Sequence, residues 1–297
     1  MAGRANLYIG PAGWSYPDWK GRFYPTKTQK SFSELNFLAQ HFDFVEINSS
    51  YYHPQSAEAS KRWLRSVAFN PKFTFSAKLW QKFVLERSHY TSEEVRAVQQ
   101  GIDVLMEADR FAALLMQFPQ SFHNTIDNRS WLFRIVTTFS MYPLVVEVRH
   151  QSWDHPEIHD MLRSRSIALA NIDQPIVGQG LALKKHITAP FCYFRFHGRN
   201  EHMWFHADAT RDSRYDYDYG EAELQQLFIP VNAASKKTNS SYVVFNNHFR
   251  GLALKNAFEL MFKLSGQKVR IPAELALVYP SLANIKRSHN PEQIELF

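Results

Sequence analysis

The chain has 297 residues, of which 45% are apolar, 15% aromatic and 21% charged, with 11 glycines and 14 prolines. That composition belongs to a folded protein with a sizeable core, and it excludes long disorder, collagen-like repeats and low complexity. Lys and Arg outnumber Asp and Glu by 34 to 28, a net charge of +6, which is compatible with anionic partners but by itself establishes none.

Eight short apolar runs begin near Leu7, Phe44, Phe73, Phe111, Leu144, Ile167, Cys192 and Tyr242. Their starts are spaced by about 34 residues on average, the length of a strand–helix repeat. Amphipathic stretches lie between them: Ser31–His41, Ser56–Ser66, Ser92–Glu107, Asn128–Ser140, Glu157–Arg163, Glu221–Ser235 and Leu252–Leu264. Several open on Ser, Thr or Asp at a plausible N-cap. No linker-like break interrupts the alternation. The pattern predicts an α/β protein with a single (β/α)8 TIM-type barrel over residues 1–285, then an exposed C-terminal tail over 286–297. A doubly wound open sheet is the alternative, but no Gly-rich phosphate loop follows the first strand.

No run approaches the roughly 20 apolar residues of a membrane span, so no membrane partner is expected. Met1–Gly10 lacks the charged-then-apolar pattern of a secretory signal. Cys192 is the single cysteine, which leaves no intramolecular disulfide and no thiolate metal cluster. A cytoplasmic location is expected.

Side-chain alternation along the strands separates two faces. In Phe44–Asn48, Val45 and Ile47 share one face and Glu46 and Asn48 the other. In Phe73–Lys78 the phenylalanines oppose Ser76 and Lys78. Leu144–Arg149 sets Glu147 and Arg149 against the aliphatic side, and Cys192–His197 sets Arg195 and His197 against two phenylalanines. Gln117 ends the fourth run, Asn171 and Asp173 follow the sixth, and Asn246, Asn247 and His248 close the eighth. The polar residues are expected to converge near the carboxyl ends of the strands, where barrel active sites lie.

The tags IGPAGW (9–14), VEINSSYY (45–52), FSAK (75–78), QFP (117–119) and EVRHQSW (147–153) occur in order along the chain. YFRFHGR (193–199), YDYDYGEAEL (215–224) and a segment over 242–257 with FNNHFRG and KNA follow. In these tags the sequence resembles the YecE-like family, domain of unknown function 72, over nearly its whole length. The resemblance implies a TIM-type barrel and supplies no reaction. Pro11, within the first tag, is a local oddity that affects only the end of that strand.

Several chemistries compete for the inward residues. Glu46 and Glu147 have the makings of a general acid and base, or of ligands for a divalent metal; equally, they balance Lys78, Arg149 and Arg195, since an unpaired buried charge costs several kcal/mol. Lys78 suits a Schiff base if burial lowers its pKa, and otherwise an anion contact. His197 with Arg199, and His248 with Arg250, form two His-x-Arg pairs at strand exits where barrels commonly bind phosphate. With His197 and His248 the two glutamates compose a chemically allowable metal set, though no compact ligand motif supports it. Trp14 and Tyr52 stand among the aromatics that suit either base stacking or packing.

Catalytic roles are therefore assigned to Glu46, Glu147, His197 and His248. Anion or substrate contacts are assigned to Lys78, Arg149, Arg195, Arg199, Asn48, Gln117, Asn246, Asn247, Trp14 and Tyr52. Gln293-Ile294-Glu295-Leu296-Phe297 resembles the bacterial sliding-clamp-binding pentapeptide; Leu296 and Phe297 would fill an apolar groove and Gln293 would bond its rim. These features suggest a hydrolase on nucleic acid recruited to a DNA sliding clamp. The alternatives are an enzyme on a small anionic metabolite, such as a sugar phosphate, using Lys78, and a non-catalytic ligand- or nucleic-acid-binding module.

Overall fold

The computed structural model describes residues 6–176, 178–204, 206 and 208–287. Each apolar run forms a strand: β1 (Asn6–Pro11), β2 (Phe44–Ile47), β3 (Thr74–Lys78), β4 (Phe111–Gln117) and β5 (Leu144–Glu147) come first. The run near Ile167 forms two segments, β6 (Ala168–Leu169) and β7 (Asn171–Asp173), followed by β8 (Phe191–Phe196) and β9 (Ser240–Phe245). All pairings are parallel, in the orders β1-β9-β8-β7 and β2-β3-β4-β5-β6. The protein has an α/β fold of parallel sheets.

The division between β6 and β7 has a local cause. Ala170 N–H donates to Val146 O at 2.9 Å, so the strand still belongs to β5 there. On its other edge the Thr188 hydroxyl accepts from Leu169 N–H at 2.8 Å and donates to Ile167 O at 2.7 Å. One side chain thus satisfies the backbone groups that β8 would otherwise pair, and β8 takes over from Asn171. The sheets also approach at β1 and β2, where Gly13 N–H donates to Glu46 O at 2.8 Å and Ala12 bridges Glu46. Gly10 permits that approach, because a Cβ on it would lie 2.0 Å from Phe44 O.

The helices are α1 (Glu34–Ala39), α2 (Ala57–Ser66), α3 (Ser92–Glu107), α4 (Ile126–Thr138) and α5 (Pro156–Ser164). Next come α6 (Glu201–Trp204), α7 (Arg211–Arg214), α8 (Glu221–Ser235), α9 (Leu252–Ser265) and α10 (Ala273–Val278). Helices α3 and α8 match the sequence expectation at both ends. A reciprocal cap starts α3: Glu94 N–H donates to Thr91 Oγ1 at 3.3 Å and Thr91 N–H to Glu94 Oε2 at 2.8 Å. Helix α4 begins two residues earlier than its apolar pattern, because Thr125 accepts from Asn128 N–H at 3.3 Å. Among the described residues no helix occupies 174–190, between β7 and β8.

Strand alternation distributes the core as the sequence requires. Val45, Ile47, Phe75, Phe194 and Phe196 pack under one group of helices, and Met116, Val146 and Val148 under another. Phe44, Leu115, Val145 and Tyr193 form a third cluster between the sheets. The Phe44 ring lies 5.3 Å from that of Tyr242, and Ser76 Oγ is 2.6 Å from the Tyr193 hydroxyl, both contacts running from one sheet to the other. Each fully buried Phe contributes about 1.5–3 kcal/mol relative to exposure.

Among the described residues no helix is long and apolar enough to cross a membrane. Lys286 bridges Val269, and Arg287 N–H donates to Val269 O at 2.8 Å. The expected clamp-like peptide, with Gln293, Leu296 and Phe297, lies outside the described residues.

Candidate functional site

The inward residues at the carboxyl ends of β2, β4, β5 and β8 meet in one buried network. Arg195 Nε donates to Glu46 Oε2 at 3.0 Å and its Nη2 to Glu46 Oε1 at 2.7 Å. Its Nη1 reaches Glu147 Oε2 at 2.5 Å and Gln117 Oε1 at 3.1 Å. Glu147 Oε1 accepts from Arg149, Nε at 3.2 Å and Nη2 at 3.1 Å, and stands 3.3 Å from His197 Nε2. The Tyr193 hydroxyl donates to Glu46 Oε2 at 2.9 Å. Glu46, Glu147, Arg195 and His197 are all fully buried.

Electrostatics hold this floor in a fixed charge state. Burial pushes the Glu147 carboxyl up, but Arg195, His197 and Arg149 more than offset it and hold it well below the ordinary carboxylate range. Burial opposes the Arg195 charge, yet Glu147 and Glu46 raise its pKa above the usual arginine value. His197 is driven down to about 3, first by burial and then by Arg149 and Arg195, against the pull of Glu147. It is therefore neutral at pH 7. Asn246 Nδ2 stands 3.0 Å from its Nδ1, and Arg195 Nη1 lies 3.3 Å from its Nε2, the nitrogen that also faces Glu147.

This arrangement bears on three roles expected from the sequence. Arg195 is not available to an anion, because all three of its nitrogens are engaged by protein acceptors. Glu46 and Glu147 are not an open acid–base pair, since the guanidinium bridges them. For the same reason they do not present a shared metal site: Arg195 holds the position between the carboxylates that a cation would take.

Above the floor lies a cavity of about 380 Å³ lined by Gly13, Trp14, Ser15, Tyr16, Asn48, Ser49, Tyr52, Lys78, Tyr215, Asn246 and His248. Lys78 Nζ stands 4.3 Å from the Tyr51 ring centroid and, among the described residues, pairs with no carboxylate. Burial and Arg195 push its pKa down to about 8, against Glu46 and Glu147. The His248 ring stacks on Tyr16 at 4.4 Å and lies 5.3 Å from Tyr215. Asn48 Nδ2 donates to the Tyr16 hydroxyl at 3.2 Å. Trp14 is braced edge-on by Trp63 at 5.3 Å, and Tyr52 is 53% exposed at the rim.

A second cavity of about 390 Å³ shares Tyr215 and includes Tyr51, Gln117, Arg149 and Trp204. The Arg149 guanidinium lies 5.6 Å from the Trp204 ring centroid while still bonded to Glu147. Lys78, Arg149, Asn48, Gln117, Asn246, His248, Trp14 and Tyr52 are thus brought to two adjoining cavities.

Arg199 and Asn247 are not. Arg199 forks onto Asp173, with Nε–Oδ1 at 3.1 Å and Nη2–Oδ1 at 2.9 Å, and reaches Glu223 and Gln226. The turn at Gly198 (φ +88°) ends the strand alternation after His197, and a Cβ there would lie 2.6 Å from Tyr217 Cβ. Asn247 is buried against α9, its Nδ2 donating to Asn256 Oδ1 and Tyr217 O, each at 2.8 Å. The two expected His-x-Arg pairs therefore do not act as pairs: each sends its histidine inward, while Arg199 goes to Asp173 and Arg250 lies in a turn with φ 57°.

Tyr193 was missed as a network member, although it shares the inward face of Arg195 and His197 at the two-residue period. Tyr16 had no such signal. It lies in a loop, and its place, with its hydroxyl donating to Ala12 O at 2.6 Å, follows from loop packing.

Residues 8–276 match the family described as "Protein of unknown function DUF72". The chain is 27% identical over 269 residues to the UPF0759 protein YunF of Bacillus subtilis, covering 86% of this chain and 93% of that protein. It is similar to a DUF72 family protein of Thermotoga maritima, 33% identical, with a TM-score of 0.77 over 87% of this chain and 99% of the other. A DUF72 family protein of Enterococcus faecalis matches at 26% identity and a TM-score of 0.77, covering 89% and 97%.

Proposed function

The chain belongs to the DUF72 family, and from that premise we propose that its cavity binds a small anionic ligand whose charge is met by Lys78. The observation that carries this reading is the Lys78 ammonium, which faces the cavity over an aromatic ring with no carboxylate partner among the described residues. A half-buried cation with no ion-pair partner among the described residues is costly, and a bound phosphate or carboxylate lowers that cost. Asn48, Asn246 and His248 supply hydrogen bonds around it, and Trp14, Tyr52 and Tyr215 supply apolar walls. The volume, about 380 Å³, suits a metabolite. We further propose that the two sheets, which approach at β1/β2 and are joined through Ala170, are halves of one (β/α)8 ring with this cavity at its carboxyl end.

Lys78 is also the residue on which covalent chemistry would rest. With a pKa of about 8 it holds roughly a tenth of its population as the free amine at pH 7. That amine would add to a ligand carbonyl and lose water to form a Schiff base. A phosphodiesterase using Glu46, Glu147 and His197 is less well supported, because all three are occupied beneath the cavity floor.

Calorimetric titration with inorganic phosphate and with small phosphorylated aldehydes tests the reading. Wild type is expected to bind and Lys78→Met to lose binding; equal binding by both overturns it. Borohydride trapping of a phosphorylated aldehyde on Lys78 tests the covalent step separately. Anisotropy titration with labelled DNA distinguishes a nucleic-acid ligand, whose binding would weaken steeply with salt. The clamp-like peptide is an independent proposal: deleting Gln293–Phe297 should abolish clamp association and leave cavity binding unchanged.

A further inference from the structure

Outside that site, three metal-ligating side chains from three separate segments meet at one point. Asp154 follows the turn after β5, His159 lies within α5, and His186 belongs to the irregular connection before β8. Their donor atoms all lie within 4.8 Å of one another. Asp154 Oδ1 is 3.3 Å from His159 Nε2 and 3.5 Å from His186 Nε2.

These separations have a specific meaning. Ligands about 2.0–2.1 Å from a tetrahedral metal stand about 3.3–3.4 Å from each other. The contacts are also poor as hydrogen bonds: both Nε2 atoms are buried and neither has a hydrogen-bond partner. A shared ion set between the three atoms would account for two buried nitrogens that lie close to a carboxylate oxygen and have no hydrogen-bond partner.

The site is also braced. Lys184 binds the other carboxylate oxygen, Asp154 Oδ2, leaving Oδ1 to point at the histidines. Asn171 clamps the His186 backbone, accepting from its N–H at 2.6 Å and donating to its carbonyl at 3.1 Å. The three side chains are only 16–17% exposed, and both Nε2 atoms are buried.

We propose that Asp154, His159 and His186 bind a divalent transition-metal ion of the zinc type, pinning the connection before β8 to α5. Two imidazoles and one carboxylate select zinc or cobalt over magnesium or calcium, which take oxygen ligands. The site is independent of the Lys78 cavity.

Chelator-stripped full-length protein is titrated with zinc, and metal content is measured after gel filtration. Cobalt loading is followed in parallel by its visible absorption. Wild type is expected to hold one zinc per chain, to show the intense visible bands of tetrahedral cobalt and to melt at a higher temperature with zinc than without. His159→Gln and His186→Gln should weaken binding at least tenfold and lose the zinc-dependent shift, while keeping the melting temperature of metal-free wild type. Lys78→Met should bind zinc as wild type does, which separates this site from the cavity. Absence of stoichiometric zinc in wild type, or unchanged zinc affinity in both histidine variants, overturns the proposal.

Discussion

Arg195 and Glu46 face each other through two hydrogen bonds, Nε–Oε2 at 3.0 Å and Nη2–Oε1 at 2.7 Å, with neither side chain exposed to solvent. The remaining terminal nitrogen of Arg195 meets Glu147, so one guanidinium neutralises two carboxylates on different strands. Its planar fork suits the task, and an ammonium would not reproduce it. Replacing Arg195 by Met leaves two buried carboxylates without their counter-ion. The expected loss is about 3–5 kcal/mol, read as a lower urea midpoint. Arg195→Lys should recover only part of it. A loss under about 1 kcal/mol for Met would mean that the floor rearranges freely.

Lys78 should behave in the opposite way. Among the described residues its charge has no carboxylate partner, and burial already works against it. Lys78→Met is expected to leave stability within about 1 kcal/mol of wild type or to raise it, while anion binding disappears. A large destabilisation would identify Lys78 as part of the structural network instead.

Acid should weaken the fold through His197. Its pKa in the folded protein is about 3, against an ordinary value near 6.5, so the unfolded chain takes up a proton that the folded one refuses. The resulting stability is fully present above about 6.5 and is lost as pH falls from there toward 3. Urea midpoints between pH 7 and 4.5 should therefore decline. A His197→Gln variant should show a shallower decline, by up to about 1.4 kcal/mol per pH unit. Parallel slopes for the two proteins would contradict the assignment. Below about pH 4.5 Glu147, whose carboxyl is also held down, adds a second loss in the same direction.

The β1/β2 approach can be tested at Gly10. A methyl group there meets the Phe44 carbonyl oxygen at 2.0 Å, and backbone cannot step aside as a flexible side chain would. Gly10→Ala is expected to cost about 1–3 kcal/mol or more, measured by chemical denaturation. Gly266→Ala provides a contrast, since space around that position is open and only its φ of +68° is strained. A harmless Gly10→Ala would mean that the two strands stand farther apart.

The sequence by itself determined the strands, most of the helices and which residues turn inward. Those properties are local: the two-residue period fixes side-chain direction, and the capping residues fix where helices begin. Glu46, Glu147, Arg195 and His197 could be placed on one face from their own segments alone. The family resemblance was equally legible, because its tags run in order along the chain.

Only the tertiary structure decided which inward charges are consumed and which are free. Arg195, Arg149 and Lys78 look alike in sequence, yet carboxylates reaching across from β2 and β5, which are not adjacent, tie down the first, Glu147 engages the second, and the third faces a cavity. Arg199 and Asn247 leave the site because the chain turns immediately after the strands, which a strand-based period cannot foresee. The meeting of Asp154, His159 and His186 was invisible for the same reason: no spacing rule links a turn, a helix and an irregular connection. Pairing across distant segments depends on how loops cross the ends of the strands, and that path is set by packing rather than by any local pattern.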